Sequence, residues 1–372
     1  MPPRMERAPA PLTARERVLV IRLGAVGDVL RALPALHLIR RSYPEAHLAW
    51  IVEDRALDLL VDHPDLDQVI RFPRAGLRAA ARRPARLPAA LIGFGRELRR
   101  HGFTVSIDAQ GSFKSALIGM LSGARRRVGF APGHCREASF LLTNEWVRPP
   151  SPWLNRVEKN LLLAESLGAA GDEVSVVLPE REAEGREADR LLKGLAPSGE
   201  PVIVLSPGTS LRQRYKRWPA EHFARLARLV SGALGVVPLV VWGPGEERLA
   251  AAVVEGSAGS ARLAPAAGLR PLAAVLRRAA GFVGADTGPM HLAWAVGCPV
   301  VALFGPTDPR LNAPLGEGHE VLRGGVTMAS IAPETVLDAV GRILARPAAG
   351  LRPAPPRLPR PHPGAAGPAV FR

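Results

Sequence analysis

The sequence predicts an α/β protein with two doubly wound, Rossmann-like domains that face a cleft. Three observations lead to this fold class. The 372 residues are 47% hydrophobic and 22% charged, a globular composition in a chain long enough for two domains. Short apolar runs alternate with amphipathic stretches, as in parallel sheets with crossover helices. A polar stretch at 179–201 interrupts this alternation, which then restarts, so a second domain of the same kind is expected.

The first domain is predicted at 17–180. Its first strand, at 18–22, is a continuous apolar run suited to the middle of a parallel sheet. A glycine loop at 23–28 follows, and Pro34 interrupts the next helix, at 29–41, early. Further strands are predicted at 47–52, 67–72, 105–108 and 125–130, further helices at 112–121 and 154–167, and one or two basic helices before Arg100, broken at Pro84 and Pro88.

The second domain is predicted at 181–346. Pro289 fits the first turn of a helix, where its missing N–H is not needed, and Gly297 is placed to end that helix. The segments 1–16 and 347–372 are predicted to be disordered extensions, the second because it contains eight prolines and no acids. The strands of this domain are predicted at 202–206, 239–242, 282–284 and 300–304, and two further helices at 219–230 and 246–254.

Positive charge is concentrated in one segment. The net charge is +15, and residues 71–100 contribute +8 of it through nine arginines and one acid, Glu97. Either these arginines only form a solvated surface, or their concentration in one segment implies an acidic partner. Nucleic acid is not predicted, because no aromatic-rich strand, finger or basic heptad helix accompanies the segment, whereas anionic lipid headgroups fit. The residues predicted to bind an anionic acceptor are Arg74, Arg78, Arg82 and Arg83.

The sequence gives no indication of export. Residues 1–17 lack the apolar region of a signal peptide, and the longest apolar run, at 230–243, is interrupted and too short to span a bilayer. The protein is therefore expected in the cytoplasm, with peripheral contact at the inner membrane through its basic segment. Cys135 and Cys298 have the spacing of neither a disulfide framework nor a metal site. No metal and no cofactor are predicted.

Four loops of the second domain are predicted at the carboxyl ends of strands. They lie at 207–217, 243–247, 284–289 and 305–308. Hydroxyls, helix N–H groups and a lysine at one edge of a sheet suit a diphosphate. Singly, each hydroxyl is better explained as a cap or a turn former and the lysine as a solvated cation, but the coincidence of four loops favours the phosphate site. The side chains concerned are Thr209, Ser210, Lys216, Thr287 and Thr307.

Three titratable side chains near predicted strand ends have two interpretations each. Asp286 either caps a helix or forms a turn, or it accepts hydrogen bonds from sugar hydroxyls beside the diphosphate. His291, one turn into the same helix, is more often a surface histidine than a catalyst. Asp28 either caps the helix predicted from Val29 or serves as the general base for a hydroxyl nucleophile.

Several boxes carry a family likeness. RLGAVGDVLRALPA at 22–35, PGTS at 207–210 before KRWP at 216–219, and GADTGPMHL at 284–292 before FGPTDP at 304–309 resemble the bacterial heptosyltransferases of glycosyltransferase family 9. AWIVE at 49–53, VSIDAQGSFKS at 105–115 and RVEKN at 156–160 look most like the heptosyltransferase I branch. The boxes occur in order from about residue 18 to beyond 309, so the resemblance covers most of the chain.

The resemblance implies a GT-B fold and inverting, metal-independent transfer of heptose from ADP-heptose to the Kdo-bearing inner core of lipopolysaccharide. It implies that Asp28 is the catalytic base and that Lys216 binds phosphate. The stretch LRQRY at 211–215 departs from the family pattern and would place Arg212 and Arg214 near the diphosphate. The other donor-site residues that it implies are Asp286, Thr287, Gly288 and His291, with Glu246 or Glu247 reaching the adenosine.

Two alternatives stay open at this point. The chain could be a heptosyltransferase II, or another family 9 transferase with a different acceptor. It could also be a non-catalytic basic binding module built on a GT-B fold.

Overall fold

Two six-stranded parallel sheets form the centres of two separate units. The computed structural model describes residues 9–13, 15–171 and 174–346. The first unit ends at Val177 and the second begins at Leu178. This division lies close to the predicted domain boundary after residue 180, and the predicted domain limits stay predictions. The predicted tail at 347–372 lies outside the described residues.

The first unit alternates strands and helices. The strands are β1 (Arg17–Ile21), β2 (His47–Val52), β3 (Gln68–Arg71), β4 (Val105–Asp108), β5 (Arg126–Phe130) and β6 (Glu145–Val147). The helices are α1 (Val26–Leu30), α2 (Leu33–Ser42), α3 (Asp54–Leu60), α4 (Arg74–Ala81), α5 (Leu87–Arg100), α6 (Phe113–Leu121) and α7 (Arg156–Ser166), with 3-10 helices at Pro84–Arg86 and Ser139–Leu141. The strand order is β3-β2-β1-β4-β5-β6, and every pair is parallel.

The second unit repeats this architecture. The strands are β7 (Val202–Ser206), β8 (Val237–Val240), β9 (Arg262–Leu263), β10 (Gly281–Ala285), β11 (Val300–Phe304) and β12 (Glu320–Arg323). The helices are α8 (Glu182–Leu195), α9 (Ala220–Leu234), α10 (Glu247–Gly256), α11 (Leu269–Arg278), α12 (Gly288–Ala295), α13 (Pro309–Asn312) and α14 (Pro333–Ala345), with 3-10 helices at Leu211–Lys216 and Met328–Ser330. The order is β12-β11-β10-β7-β8-β9, again parallel throughout.

The two strand orders fix where ligands can bind. Each sheet reverses its direction of growth at its centre, between β1 and β4 in the first unit and between β7 and β10 in the second. In open α/β sheets, ligands bind outside the carboxyl ends of the strands at such a switch point. The doubly wound fold predicted from the sequence is confirmed.

The structure differs from the prediction in three edge strands, in one helix that is divided in two, and in part of the N-terminal segment. The edge strands β6, β9 and β12 were not predicted, because an edge strand lacks the continuous apolar run of a central one. The burial of β12 alternates, and β9 is exposed. The helix predicted at 29–41 is two helices, and Pro34 lies in the first turn of the second one. Of the predicted disordered extension at 1–16, Leu12 is buried and its N–H donates to Leu167 O over 2.9 Å, so part of that segment belongs to the fold.

The described residues contain neither a membrane-spanning helix nor a cluster of metal ligands. No helix within residues 9–13, 15–171 and 174–346 is long and apolar enough to cross a membrane. Within the same ranges, no group of three or more histidine, cysteine, aspartate or glutamate side chains could hold a metal ion.

Candidate active site

In the second unit, two predicted phosphate loops leave the sheet side by side. β7 and β10 are neighbours, and Gly284 pairs with Ser206, so the loops after both strands begin at the same edge. The first loop ends in the 3-10 helix that carries Lys216, and the second leads into α12. The sheet topology therefore brings the PGTS, KRWP and GADTGP boxes together.

Trp218 fixes the position of the KRWP box. Its side chain is buried, and its indole N–H donates to Ile331 O over 2.9 Å. Its ring packs edge-on against Phe223, with centroids 4.8 Å apart. Lys216, two residues earlier, is held in the interior of the unit with only 7% of its surface exposed.

Asp286 is the centre of a buried polar cluster. Its Oδ2 accepts hydrogen bonds from Lys216 Nζ at 2.8 Å and from Asn312 Nδ2 at 3.1 Å, and His291 Nε2 lies 3.2 Å from Oδ1. Lys216 Nζ also donates to the backbone oxygen of Asp286 at 3.2 Å. Burial alone would raise the pKa of Asp286, but His291 and Lys216 outweigh it and hold the pKa of this carboxyl well below its usual range. The carboxylate is therefore ionised and compensates the charge of Lys216.

These contacts correct two of the alternatives. The N-cap of α12 is Thr287, so the interpretation of Asp286 as a cap is wrong. His291 is only 4% exposed and contacts Asp286, so it is not a surface histidine. The Thr287 hydroxyl donates to Ala285 O at 3.2 Å, and Gly288 is the first residue of the helix.

Thr209 and Ser210 have different surroundings. Thr209 is buried, and its hydroxyl oxygen accepts a hydrogen bond from Arg217 Nε at 3.0 Å. Arg217 Nη2 also donates to Thr209 O at 2.9 Å, so this guanidinium holds the PGTS loop from two sides. Ser210 is exposed, with its hydroxyl 3.5 Å from Gln213 Oε1. Arg217 was not predicted as a site residue, although it lies within the KRWP box.

Glu246 packs against the PGTS loop. Its Oε2 accepts a hydrogen bond from Gly243 N at 3.0 Å, and a Cβ added to Gly208 would lie 1.9 Å from the same oxygen. A side chain at position 208 would therefore displace the Glu246 carboxylate from the loop. An apolar cavity of about 180 Å³ opens near the carboxyl ends of β8 and β9, lined in part by Trp242 and Ala264. The indole N–H of Trp242 donates to Ala264 O at 2.9 Å. The sequence did not reveal this cavity.

In the first unit, Asp28 lies at the switch point between β1 and β4. The N-cap of α1 is Ala25, so the interpretation of Asp28 as a cap is wrong. Its Oδ2 instead lies 2.8 Å from Arg22 Nη2, and its Oδ1 accepts a hydrogen bond from Arg31 Nη2. Burial acts to raise the pKa of Asp28, but Arg22 and Arg31 outweigh it and hold the pKa well below its usual range. The carboxylate is ionised, and 26% of the side chain stays exposed.

Asp108 is the second carboxylate at this switch point. Its Oδ1 accepts hydrogen bonds from Gln110 N at 3.0 Å and from Gly111 N at 2.8 Å. Burial raises the pKa of Asp108 to about 6 in spite of these bonds. Arg22 connects the two loops, since its Nη1 donates to Ala109 O at 2.5 Å. Asp108 is only 2% exposed, so Asp28 is the carboxylate that a ligand can contact.

The four predicted acceptor arginines do not share one environment. Arg74 forms an ion pair with the buried Glu53, which also accepts a hydrogen bond from Lys114 Nζ at 3.0 Å. The charge of Arg74 is thus compensated within the fold. The other three are exposed and form no ion pair with an acid in the part of the chain that the structure describes: Arg78, Arg82 and Arg83.

Comparison with known proteins decides the family. The model of glycosyltransferase family 9 (heptosyltransferase) matches residues 91–345. The chain belongs to glycosyltransferase family 9. It is 29% identical over 315 residues to lipopolysaccharide heptosyltransferase 1 of Escherichia coli K12, a match that covers 82% of this chain and 93% of the relative. It is 30% identical over 312 residues to lipopolysaccharide heptosyltransferase 1 of Pseudomonas aeruginosa, with 82% of each protein covered.

A solved structure agrees with the family assignment. A structure of E. coli heptosyltransferase WaaC with ADP superimposes with a TM-score of 0.71 at 28% identity, covering 88% of this chain and 99% of that one. The fold is therefore GT-B, and this family 9 protein is a glycosyltransferase. The alternative of a non-catalytic binding module is not retained.

Proposed function

We propose that this glycosyltransferase transfers heptose from ADP-heptose to the Kdo-bearing inner core of lipopolysaccharide, with inversion at the sugar carbon and without a metal ion. The observation that carries the proposal is the buried cluster of Lys216, Asp286 and His291 at the switch point of the second sheet. The names of the two similar heptosyltransferases and the ADP in the similar structure support this choice of acceptor and donor.

The donor binds in the second unit. Its diphosphate lies at the amino end of α12, where the first N–H groups have no partner within the helix. The hydroxyl of Thr209 and the guanidinium of Arg217 are the neighbouring donors, because the Thr287 hydroxyl already donates to Ala285 O. Since Asp286 compensates Lys216, the lysine orients the phosphate and Arg217 contributes the surplus charge. The adenine occupies the apolar cavity beside Trp242, and Glu246 lies between that cavity and the PGTS loop.

The reaction needs one base and one leaving group. As the acceptor oxygen bonds to C1 of the heptose, its proton passes to a carboxylate oxygen of Asp28. The bond between C1 and the β-phosphate oxygen breaks on the opposite face, and ADP leaves with that electron pair, so the configuration at C1 inverts. The lowered pKa of Asp28 makes it a weak base, so the proton moves late, when the attacking oxygen has become acidic.

The acceptor brings the enzyme to the membrane. The exposed arginines Arg78, Arg82 and Arg83 carry uncompensated charge, which attracts anionic headgroups at the cytoplasmic face of the inner membrane. Arg74 orients the start of α4 through Glu53.

The second candidate function is that of a heptosyltransferase II, whose acceptor already carries a heptose.

Product analysis separates these functions. Purified protein is incubated with ADP-heptose and either Kdo-lipid A or heptosyl-Kdo-lipid A, with and without EDTA, and the products are characterised by mass spectrometry and NMR. We expect one heptose on Kdo-lipid A, an inverted anomeric centre and an unchanged rate with EDTA. Transfer only to the heptosylated acceptor would establish the second candidate. Absence of transfer to either acceptor would refute the proposed function.

A further inference from the structure

The outer side of α6 is apolar. In a helix that covers one face of a sheet, the positions away from the sheet are normally polar. This holds for α9, where Glu221, Arg225 and Arg228 are exposed. In α6, Phe113 and Met120 are 44% and 41% exposed instead. α6 therefore presents apolar surface to the solvent where the other helix presents charge.

The one charged residue of α6 does not make this side polar. Lys114 directs its Nζ to Glu53 Oε1 at 3.0 Å, so its charge is compensated within the first unit. The other residues of the helix are apolar or glycine, apart from Ser115, which is fully buried. Nothing within α6 thus explains why its outer side should face water.

Two neighbouring elements extend this apolar surface. The 3-10 helix at Ser139–Leu141 packs against α6 and leaves Leu141 57% exposed. α5 also packs against α6, because a Cβ added to Gly95 would lie only 3.3 Å from Leu121 Cδ2, and Ile92 of α5 is 53% exposed. We call the exposed apolar side chains of these three elements the α6 surface: Ile92, Phe113, Met120 and Leu141.

Arginines border the α6 surface. Arg96 and Arg99 lie on α5, and Arg125 follows the end of α6. All three are exposed, and none forms an ion pair with an acid in the part of the chain that the structure describes. A Cβ added to Gly123 would lie 3.1 Å from Arg99 Cγ, so the stem of this arginine covers the turn after α6. The border therefore carries charge that the fold does not compensate.

Two exposed acids near this border leave the excess of positive charge in place. Glu97 forms an ion pair with Arg100 at 3.0 Å, so these two charges cancel each other. The Glu137 carboxylate accepts a hydrogen bond from Phe113 N at 3.2 Å, at the start of α6. One acid against three arginines leaves the surroundings of the α6 surface positive.

Apolar surface bordered by charge of one sign fits the interface of an anionic bilayer. There, apolar side chains enter the boundary between headgroups and acyl chains, while arginines contact the negative headgroups. A second copy of this chain is a poorer partner, because a symmetric contact through the α6 surface would bring the arginines of both copies together.

We propose that the α6 surface inserts into the interface of an anionic bilayer, with the bordering arginines among the headgroups. Its role differs from that of Arg78, Arg82 and Arg83, since attraction through exposed charges alone is screened by salt, whereas inserted apolar side chains keep their contact at high salt. The inference involves neither the donor nor the acceptor and so goes beyond the proposed function.

The test measures flotation of the full chain with vesicles of phosphatidylethanolamine and phosphatidylglycerol, at low and at high salt, and with vesicles of phosphatidylcholine for comparison. The wild type should bind the anionic vesicles, and part of this binding should persist at high salt. Combining Ile92→Ser and Leu141→Ser should weaken binding about 10- to 100-fold and remove the salt-resistant part.

A matched control removes two apolar side chains from the second unit. Leu211 and Val326 are 71% and 85% exposed, more than the two residues replaced in the α6 surface. Combining Leu211→Ser and Val326→Ser should leave vesicle binding as in the wild type. The thermal unfolding of both variants is measured in the same buffer, so that binding is compared at equal folded fractions.

A second measurement keeps the apolar character of the surface. In Leu141→Trp, the added tryptophan emission, taken as the difference from the wild type, should shift to shorter wavelength with anionic vesicles and be quenched by brominated acyl chains. Val326→Trp should show neither effect.

Three results would overturn the assignment. They are a wild type that does not bind anionic vesicles, a serine variant of the α6 surface that binds them as tightly as its control, and a dimer of the chain that the same serine substitutions dissociate. The last result would assign the surface to a second copy. None of these measurements involves heptose transfer, so the proposed function can fail while this inference stands, and the reverse.

Discussion

Replacing Asp28 by asparagine tests both the base and the structural cluster around it. A capping aspartate would tolerate this change, but Asp28 compensates Arg22 and Arg31, which are each only 7% exposed. Removing one partner of a buried ion pair costs about 3–5 kcal/mol, and the partial exposure of Asp28 places the expected loss at about 3 kcal/mol. In a unit of this size, that loss lowers Tm by about 6–12 °C. Asp28→Asn should therefore be folded but measurably less stable.

The effect on rate should exceed the effect on stability. Asparagine cannot take the acceptor's proton, so kcat should fall by about 10²–10⁴, the usual share of general-base catalysis. Rates are measured well below the Tm of the variant, with the folded fraction determined by circular dichroism in the same buffer. ADP affinity should stay unchanged, because the proposed donor site lies in the second unit.

A matched control distinguishes catalysis from stability. Asp67 also compensates an arginine, since its Oδ2 lies 2.6 Å from Arg40 Nη2 and accepts a hydrogen bond from Leu48 N at 2.7 Å. It lies near the amino end of β2, away from the switch point. Asp67→Asn should lower Tm and leave kcat unchanged. If Asp28→Asn transfers heptose as fast as this control, Asp28 is not the base, and Asp108 becomes the candidate.

Three further outcomes are expected. The pKa of Asp28 is lowered in the folded protein, so its ion pairs stabilise the fold above the unfolded pKa of about 3.9, and this stabilisation is lost as pH falls through the folded pKa. The carboxylate stays ionised over the same range. We therefore expect no fall of kcat on the acidic side above about pH 4. A limb near pH 6 would point to Asp108. Lys216→Met should lower both Tm and ADP affinity, because it leaves Asp286 buried without its cation. The control Lys193→Met, which removes an exposed lysine from α8, should do neither. Replacing Arg78, Arg82 and Arg83 by glutamine should raise the acceptor KM and weaken its dependence on salt concentration. An unchanged KM would mean that these arginines only form a solvated surface.

The central strands could be predicted from the sequence, whereas three of the four edge strands could not. β2, β4, β7 and β11 have the predicted bounds, because a strand covered by helices on both faces reads as an unbroken apolar run. β9 has two residues and both are exposed, so nothing in its composition separates it from a loop. Edge strands pair on one side only, and the pairing partner that defines them is distant in the sequence.

The sequence indicated which loops lie together at the switch point of the second sheet, but not which side chains meet there. Lys216 and Asp286 were both candidates, yet their ion pair joins positions from two different boxes and changes the role of the lysine. Nothing in the sequence indicated that Asn312 contacts Asp286, since the short helix α13 brings the two side chains together. Arg217 could have been found inside its box, but only the loop geometry shows that it holds Thr209.

Both units contain a carboxylate that is kept ionised by neighbouring cations, but the two carboxylates suit different roles. At each switch point a carboxylate is held ionised by cations, Asp28 by Arg22 and Arg31 and Asp286 by Lys216 with His291. Exposure separates their roles, because the side chain of Asp28 is 26% exposed and that of Asp286 only 4%. A carboxylate that must exchange a proton with a substrate has to be accessible, whereas one that holds two loops in register does not. Asp28 therefore suits the role of the proposed base, and Asp286 suits the scaffold of the proposed diphosphate site.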